Sequence, residues 1–133
     1  MRKEMIDGLL QYQDSISKVF YQVVDQGDRE GNYLEASGSS LVSYAILKGT
    51  RLNVLPKEYE KIGEDIFNGV CNTYLKEVDG ELNLGGICLV DGLGPESNLR
   101  RDGSYEYYTS EPIVSNDAKG VGPLIMAYTE IKS

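Results

Sequence analysis

The residues after Pro56 carry the clearest structural pattern in the sequence, an amphipathic helix. Apolar residues recur at steps of three and four from Tyr59 to Leu75, and charged residues occupy positions between them. Proline suits a first helical turn because its fixed φ is helical and its missing N–H would have no partner there. The pattern predicts a helix over residues 57–75, about five turns long, with one face in water and the other against a larger helical layer.

Two other segments predict helices that are buried on more than one side. The first covers residues 34–47, where five small residues at 36–40 precede an apolar run. The second follows a Gly/Pro segment at 120–123 and ends near Ile131. Small side chains let backbones approach closely, although a helix start with exposed N–H groups and hydroxyls also suits a ligand. Alternation of buried and amphipathic helices predicts a mainly α, layered α/α toroid.

Turn-forming residues divide the remainder of the chain. Asp79 and Gly80, between alternating apolar residues, predict a short β-hairpin, and residues 19–24 fit either a short strand or an extended loop. A long loop follows at 91–118, and we expect it to be ordered because the large residues at 105–108 need a surface to pack on. The apolar pattern at 3–13 has no capping residue, so we expect the chain to begin inside an element.

Composition excludes several functional classes. The length of 133 residues suits a single domain over 1–133, and the absence of histidine rules out Ser-His-Asp, Cys-His and HExxH chemistry. The formal charge is 13 − 21 = −8, which argues against a nucleic-acid partner because such a surface needs clustered Lys and Arg. No apolar run approaches the roughly 18 residues of a membrane span, and acids interrupt the N-terminus. We therefore expect a cytoplasmic protein with no membrane partner.

The two cysteines do not indicate a metal site or a disulfide framework. Cys71 falls on the apolar face of the amphipathic helix and Cys88 on a strand, and nothing in the surrounding sequence suggests a reactive thiol. We expect both to be reduced. The sequence predicts no metal site and no cofactor.

Five segments together resemble one enzyme family. They are YQVVD at 21–25, GNYLEASGS at 31–39, NLGGIC at 83–88, DGSYEYYTSEPI at 102–113 and NDAKGVGP at 116–123. In these motifs the chain resembles the unsaturated rhamnogalacturonyl hydrolases, bacterial glycoside hydrolases with a six-hairpin α/α barrel. The resemblance implies a partial (α/α)6 toroid, in which residues 1–133 form a single domain made of the C-terminal helical hairpins of the barrel.

The resemblance also implies a substrate and a mechanism. The substrate is an oligosaccharide with an unsaturated uronic acid at its non-reducing end. In this family an Asp protonates the C4–C5 vinyl ether, water adds at C5, and the resulting hemiketal opens and expels the neighbouring sugar, a general-acid reaction outside the retaining and inverting schemes. The catalytic Asp, and the His, Arg and Trp residues that hold substrate, belong to the N-terminal part of the family barrel. We therefore assign no catalytic residue here and expect the chain to be inactive alone.

The long loop supplies three candidate substrate-binding residues, Tyr108, Ser110 and Glu111. In such a barrel this loop lies at the mouth of the central cleft, where Ser110 and Glu111 can bond sugar hydroxyls. The ring of Tyr108, or that of Tyr107, offers an apolar face to a sugar. A structural role for Glu111 has equal weight, as a cap of the final helix or a partner of Lys119.

Glu35, Ser37 and Gln22 complete the candidate site. Glu35 and Ser37 lie at the start of the small-residue helix, where the helix dipole favours a carboxylate without any ligand, so the structural interpretation leads. Gln22 suits the lining of the cleft, but ordinary loop hydrogen bonding is favoured. The basic doublet Arg100 and Arg101 suits an anionic sugar, with a solvated doublet as the default.

Two non-catalytic functions stay open, a carbohydrate-binding module and a dimeric scaffolding module. An incomplete toroid exposes the apolar faces of its inner helices, and a large exposed apolar patch promotes aggregation. A two-fold dimer covers such a face simply, so we expect a homodimer. A second subunit that supplies the complementary barrel half is the alternative partner.

Overall fold

Five helices and two small antiparallel sheets make up the part of the chain that the computed structural model describes, residues 3–133. The helices are α1 (Lys3–Leu10), α2 (Ala36–Arg51), α3 (Tyr59–Tyr74), α4 (Tyr105–Ser110) and α5 (Ala118–Lys132). The strand pairs are β1 (Leu75–Val78) with β2 (Glu81–Leu84), and β3 (Ile87–Cys88) with β4 (Ile113–Val114). The predictions of a mainly helical fold and of a hairpin around residues 79–80 are confirmed.

Helix α2 is the central element, because both α3 and α5 pack against it. Its serines allow this close packing. Ser43 is fully buried, and its hydroxyl donates a 2.7 Å hydrogen bond to the carbonyl of Gly63 in α3. A Cβ atom on Gly63 would lie 2.8 Å from Leu47 Cγ, so a larger residue there would push the two helices apart.

The apolar core consists of two clusters that share the segment before α2. The first cluster contains Val19, Ala36, Val70, Leu84, Ile87 and Leu124. The second contains Ile6, Phe20, Ile46, Leu55 and Ile66. The neighbouring residues Val19 and Phe20 therefore tie the two clusters together. Beyond them, Tyr21 forms a single bridge with Leu34, so residues 19–24 are an extended loop rather than a strand.

The boundaries of α2 and α3 differ from the predicted ones. The helix predicted at 57–75 ends one residue early because Leu75 is extended (φ −88°, ψ 112°) and pairs with Leu84 in the hairpin. The helix predicted at 34–47 begins only at Ala36, since Glu35 is extended and caps it. The helix then continues through Gly49 to Arg51, because a glycine weakens a helix without having to end it.

The final helix begins before the Gly/Pro segment that was expected to introduce it. Asp117 caps α5 by accepting the N–H of Lys119 at 2.9 Å, and Pro123 lies inside the helix. Proline removes one backbone hydrogen bond from a helix. The helix continues past it because Leu124 and Ala127 are buried on the next turn.

The loop at 91–117 is ordered as expected and positions a short helix beside the core. Ser104 caps α4 by accepting the N–H of Tyr107 at 3.1 Å, and Tyr107 is the buried ring of the aromatic run. The loop then returns as β4 to pair with β3. Among the helices of residues 3–133, none is long and apolar enough to cross a membrane.

Candidate functional site

A cavity of about 450 Å³ lies beside the start of α2. The extended loop at 19–24 forms one side of it, and the end of β3 with the residues that follow forms another. Its polar side chains include Gln22, Glu35, Ser37, Asp91 and Lys119. Its apolar wall includes Leu9, Phe20, Val24, Val42 and Val90. A mixed lining of this kind suits a ligand with both polar and apolar faces.

Glu35 is the N-cap of α2 and joins this helix to β3. Its Oε1 accepts hydrogen bonds from Ser37 N–H at 3.1 Å, from the Ser37 hydroxyl at 2.6 Å and from Cys88 N–H at 3.0 Å. Its Oε2 accepts from Gly38 N–H at 2.6 Å. With four donors on a side chain that is only 6% exposed, Glu35 fixes the wall of the cavity. At this helix start the N–H groups of Ser37 and Gly38 are thus satisfied by Glu35, and that of Ala36 donates to the Gly86 carbonyl.

The side chain of Gln22 contacts residues that are distant from it in the sequence. Its Nε2 donates to Asp91 Oδ2 at 2.6 Å and to the carbonyl oxygen of Tyr108 at 3.4 Å, and lies 3.5 Å from Cys88 Sγ. Its backbone N–H donates to the carbonyl of Tyr33 at 2.8 Å. The side-chain bonds of Gln22 are therefore tertiary contacts, and the local loop bonding favoured from the sequence describes only its backbone.

The three candidates from the long loop do not line this cavity. The Ser110 hydroxyl donates to the Tyr107 carbonyl at 2.7 Å, and the ring of Tyr108 contacts the Tyr107 ring with centroids 5.1 Å apart. Tyr108 reaches the cavity region only through its carbonyl oxygen, which Gln22 contacts. The structure therefore brings together Gln22, Glu35 and Ser37 but leaves Tyr108, Ser110 and Glu111 to one side.

Glu111 is held by an arginine. Arg100 Nη1 donates to Glu111 Oε1 at 2.6 Å, and the guanidinium holds the pKa of this buried carboxyl below its ordinary value. Asp117 both caps α5 and pairs with Lys119 at 2.8 Å. The two structural roles suggested for Glu111 were therefore wrong. The Arg100 side chain is 55% exposed, in line with the default of a solvated doublet, but it also pairs with Glu111.

Replacing Arg100 with alanine should destabilise the protein in a pH-dependent way. Because the folded pKa of Glu111 is lowered, the pair stabilises the fold above the unfolded pKa, and this stabilisation is lost as pH falls through the folded pKa. The difference in melting temperature between wild type and Arg100→Ala should therefore shrink from neutral to acid pH. Arg29→Ala is the control, since the ion pair of Arg29 with Glu106 is largely exposed to solvent and should contribute little at any pH. A difference for Arg100→Ala that does not change with pH would contradict the assignment.

The sequence alone did not identify Asp91, Cys88 or Lys119 as residues that line the cavity. Cys88 is buried, and burial raises the pKa of its thiol, so it is a packing group rather than a thiolate nucleophile. Asp91 belongs to an irregular loop with no periodic pattern and reaches Gln22 across 69 positions. Across residues 3–133, no group of three or more His, Cys, Asp or Glu side chains is placed to hold a metal ion.

Comparison with solved structures supports the partial toroid. A glycoside hydrolase from family 105 of C. acetobutylicum superposes with a TM-score of 0.90 at 50% identity, over 96% of this chain and 35% of that chain. Possible family 105 members from Salmonella enterica and Klebsiella pneumoniae share the fold, with TM-scores of 0.73 and 0.71 at 23% and 24% identity. Each superposition covers 95% of this chain and 29% of the neighbour's chain. The predicted fold class is confirmed.

Sequence comparison gives the family. Protein Atu3128 of Agrobacterium fabrum and the 24.9 kDa protein in the picA locus of Rhizobium radiobacter are each 42% identical over 117 residues, which is 84% of this chain and 50% of each relative. The chain thus spans about half the length of the curated relatives it matches. The fold and these matches define part of an α/α toroid of the kind found in glycoside hydrolases. All of residues 1–133 match the model of Glycosyl Hydrolase Family 88, and the chain belongs to that family.

Proposed function

We propose that this chain is the C-terminal portion of a six-hairpin barrel that hydrolyses unsaturated rhamnogalacturonan oligosaccharides. Family membership implies an oligosaccharide substrate. The observation that carries the proposal for this part of the barrel is the mixed lining of the cavity beside α2. Phe20, Val42 and Val90 offer a sugar ring an apolar wall, and Gln22 and Ser37 offer polar groups to its hydroxyls.

The proposed reaction hydrates the C4–C5 double bond of the terminal uronic acid. A general acid protonates the vinyl ether, water adds at C5, and the hemiketal opens to release the neighbouring sugar. The carboxylates of the cavity do not suit the acid, because Glu35 accepts four hydrogen bonds as a cap and Asp91 accepts from Gln22 Nε2 and from the Cys88 thiol. We therefore propose that the general acid comes from the N-terminal part of the barrel, and that the isolated chain is inactive.

Incubation of the pure chain with the unsaturated galacturonyl-rhamnose disaccharide tests this proposal. We expect the sugar to raise the melting temperature while the double-bond absorbance stays constant, since a ligand that binds the folded state stabilises it. The saturated disaccharide is the control for the role of the double bond in binding. Loss of the absorbance with the chain alone would show that the general acid is present, and a melting temperature that does not change would contradict sugar binding.

A cytoplasmic location belongs to the same proposal. Cys71 and Cys88 both carry free thiols, which is the usual state in a reducing compartment. Burial raises the pKa of both thiols, so neither is poised for disulfide exchange.

A second candidate function, a dimeric scaffolding module, is favoured by an apolar groove of about 720 Å³. The groove lies between α3, α5 and the β1–β2 hairpin, and its rim exposes Leu82, Ile125 and Tyr128 by 68%, 56% and 48%. A two-fold contact between identical chains uses the same surface of each, so exposed apolar side chains of one copy can fill the apolar groove of the other. We propose that a second copy covers this groove.

Replacing Leu82 with aspartate should weaken the homodimer by about 100-fold or more, because the dimer would bury an unpaired carboxylate. Leu82 is mostly exposed, so the fold should tolerate the change. Light scattering across a concentration series measures the effect. Ile16→Asp is the matched control, since Ile16 is 92% exposed and lies outside the groove. A wild-type monomer at tens of micromolar would overturn the homodimer, and a one-to-one complex with the N-terminal barrel part would identify the complementary half as the partner.

A further inference from the structure

Asp91 lies at the edge of the cavity, three residues after β3, and holds a residue on the opposite side. Its Oδ2 accepts the 2.6 Å hydrogen bond from Gln22 Nε2. Asp91 itself is exposed, so it does not support the core. A short hydrogen bond to an ionised acceptor is stronger than a neutral one.

The groups around the amide of Gln22 fix which way it faces. A carboxylate and a carbonyl oxygen only accept hydrogen bonds, so Nε2 must point toward Asp91 and the Tyr108 carbonyl. Asp91 is the dominant of these acceptors, because the contact with Tyr108 is 3.4 Å long. Gln22 Oε1 then points away from both acceptors, and no donor within residues 3–133 bonds to it.

We propose that Asp91 is a positioning residue for sugar recognition, which orients the Gln22 amide so that Oε1 accepts a hydrogen bond from a sugar hydroxyl in the cavity. This inference rests on the proposed function. It also names the chemical group that this wall of the cavity recognises. Gln22 Oε1 lies beside the anionic Asp91, which would repel the uronic acid carboxylate. This acceptor therefore suits a neutral, hydroxyl-bearing part of the substrate.

Calorimetric titration with the unsaturated galacturonyl-rhamnose disaccharide tests the role. Asp91→Ala should weaken binding by about tenfold, since a well-placed hydrogen bond is lost. Asp91→Asn should restore affinity to within about threefold of wild type, because its side-chain oxygen still accepts from Gln22. Glu96→Ala is the matched control, an exposed acid in the same loop with no hydrogen bond within residues 3–133, and should leave affinity unchanged.

A double-mutant cycle separates positioning from general structural support. If Asp91 acts through Gln22, adding Asp91→Ala to Gln22→Ala should change affinity no further. The side-chain amide resonances of Gln22 should shift in ligand-free Asp91→Ala and stay in place in Glu96→Ala. Additive losses, or amide resonances that Asp91→Ala leaves in place, would overturn the positioning role.

The outcomes distinguish this inference from the proposed function. Wild-type binding that Asp91→Ala leaves intact overturns the role of Asp91 and leaves sugar binding standing. A wild-type chain that binds no disaccharide overturns the proposed sugar binding, and the role of Asp91 in it falls as well.

Discussion

Replacing Glu35 with alanine should lower the free energy of unfolding by about 2–4 kcal/mol. The change removes the N-cap of α2, the central helix, which alone costs about 1 kcal/mol. It also leaves the buried N–H of Cys88 without its 3.0 Å acceptor, which adds about 1–3 kcal/mol because a buried donor is then unsatisfied. The effect is large because one carboxylate serves both a helix and a strand.

Urea denaturation measures this loss. Glu58→Ala is the matched control, because Glu58 also precedes a helix but makes no capping hydrogen bond, so its loss should stay within about 0.5 kcal/mol. Equal effects of the two substitutions would show that the contacts of Glu35 contribute little.

Replacing Gly69 with alanine should destabilise the fold by about 3 kcal/mol or more. Gly69 is buried in α3, and a Cβ atom there would collide with the backbone carbonyl oxygen of Ser17 and lie 3.2 Å from Val19 Cγ2. Backbone cannot rotate away as a side chain can, so the segment before the cavity must move as a whole. The same displacement would disturb the extended loop that carries Gln22.

Gly8→Ala is the control for Gly69→Ala. Gly8 also lies inside a helix, α1, but nothing stands within 4 Å of a Cβ atom built on it and no proline follows it. Alanine should therefore raise the free energy of unfolding by about 0.5–1 kcal/mol through helix propensity alone. The two glycines should give opposite signs in the same denaturation experiment. A stabilising Gly69→Ala would contradict the packing of Ser17 on α3.

The helical architecture was predictable because it rests on local patterns. Three- and four-residue spacing located α3, and an Asp-Gly turn located the β1–β2 hairpin. A small-residue stretch before an apolar run located α2, and a Gly/Pro segment before an apolar run located α5. The helix ends were less predictable because tertiary contacts decide them. Leu75 leaves α3 to pair with Leu84, and the burial of Leu124 carries α5 past Pro123.

The candidate site was predictable only where it coincides with a helix start or with a family motif. Glu35 and Ser37 could be found because α2 begins beside the cavity, and Gln22 because it belongs to a family motif. The contact of Gln22 with Asp91 and that of Glu35 with Cys88 join residues 69 and 53 positions apart, which no periodicity encodes. The pairing of Arg100 with Glu111 lies within an irregular loop, where the backbone path decides which charges meet.

Binding at the cavity without turnover is best tested by NMR during titration of the isolated ¹⁵N-labelled chain with the unsaturated disaccharide. The ¹⁵N–¹H spectrum follows the protein, and the one-dimensional ¹H spectrum follows the sugar. We expect shifts at the backbone amides that surround the cavity, those of Gln22, Ser37, Gly38 and Cys88, while the double-bond proton signal of the sugar persists. Shifts centred on the apolar groove, or no shifts at saturating sugar, would contradict binding at the cavity. Disappearance of the double-bond signal would contradict the claim that the general acid lies outside this chain.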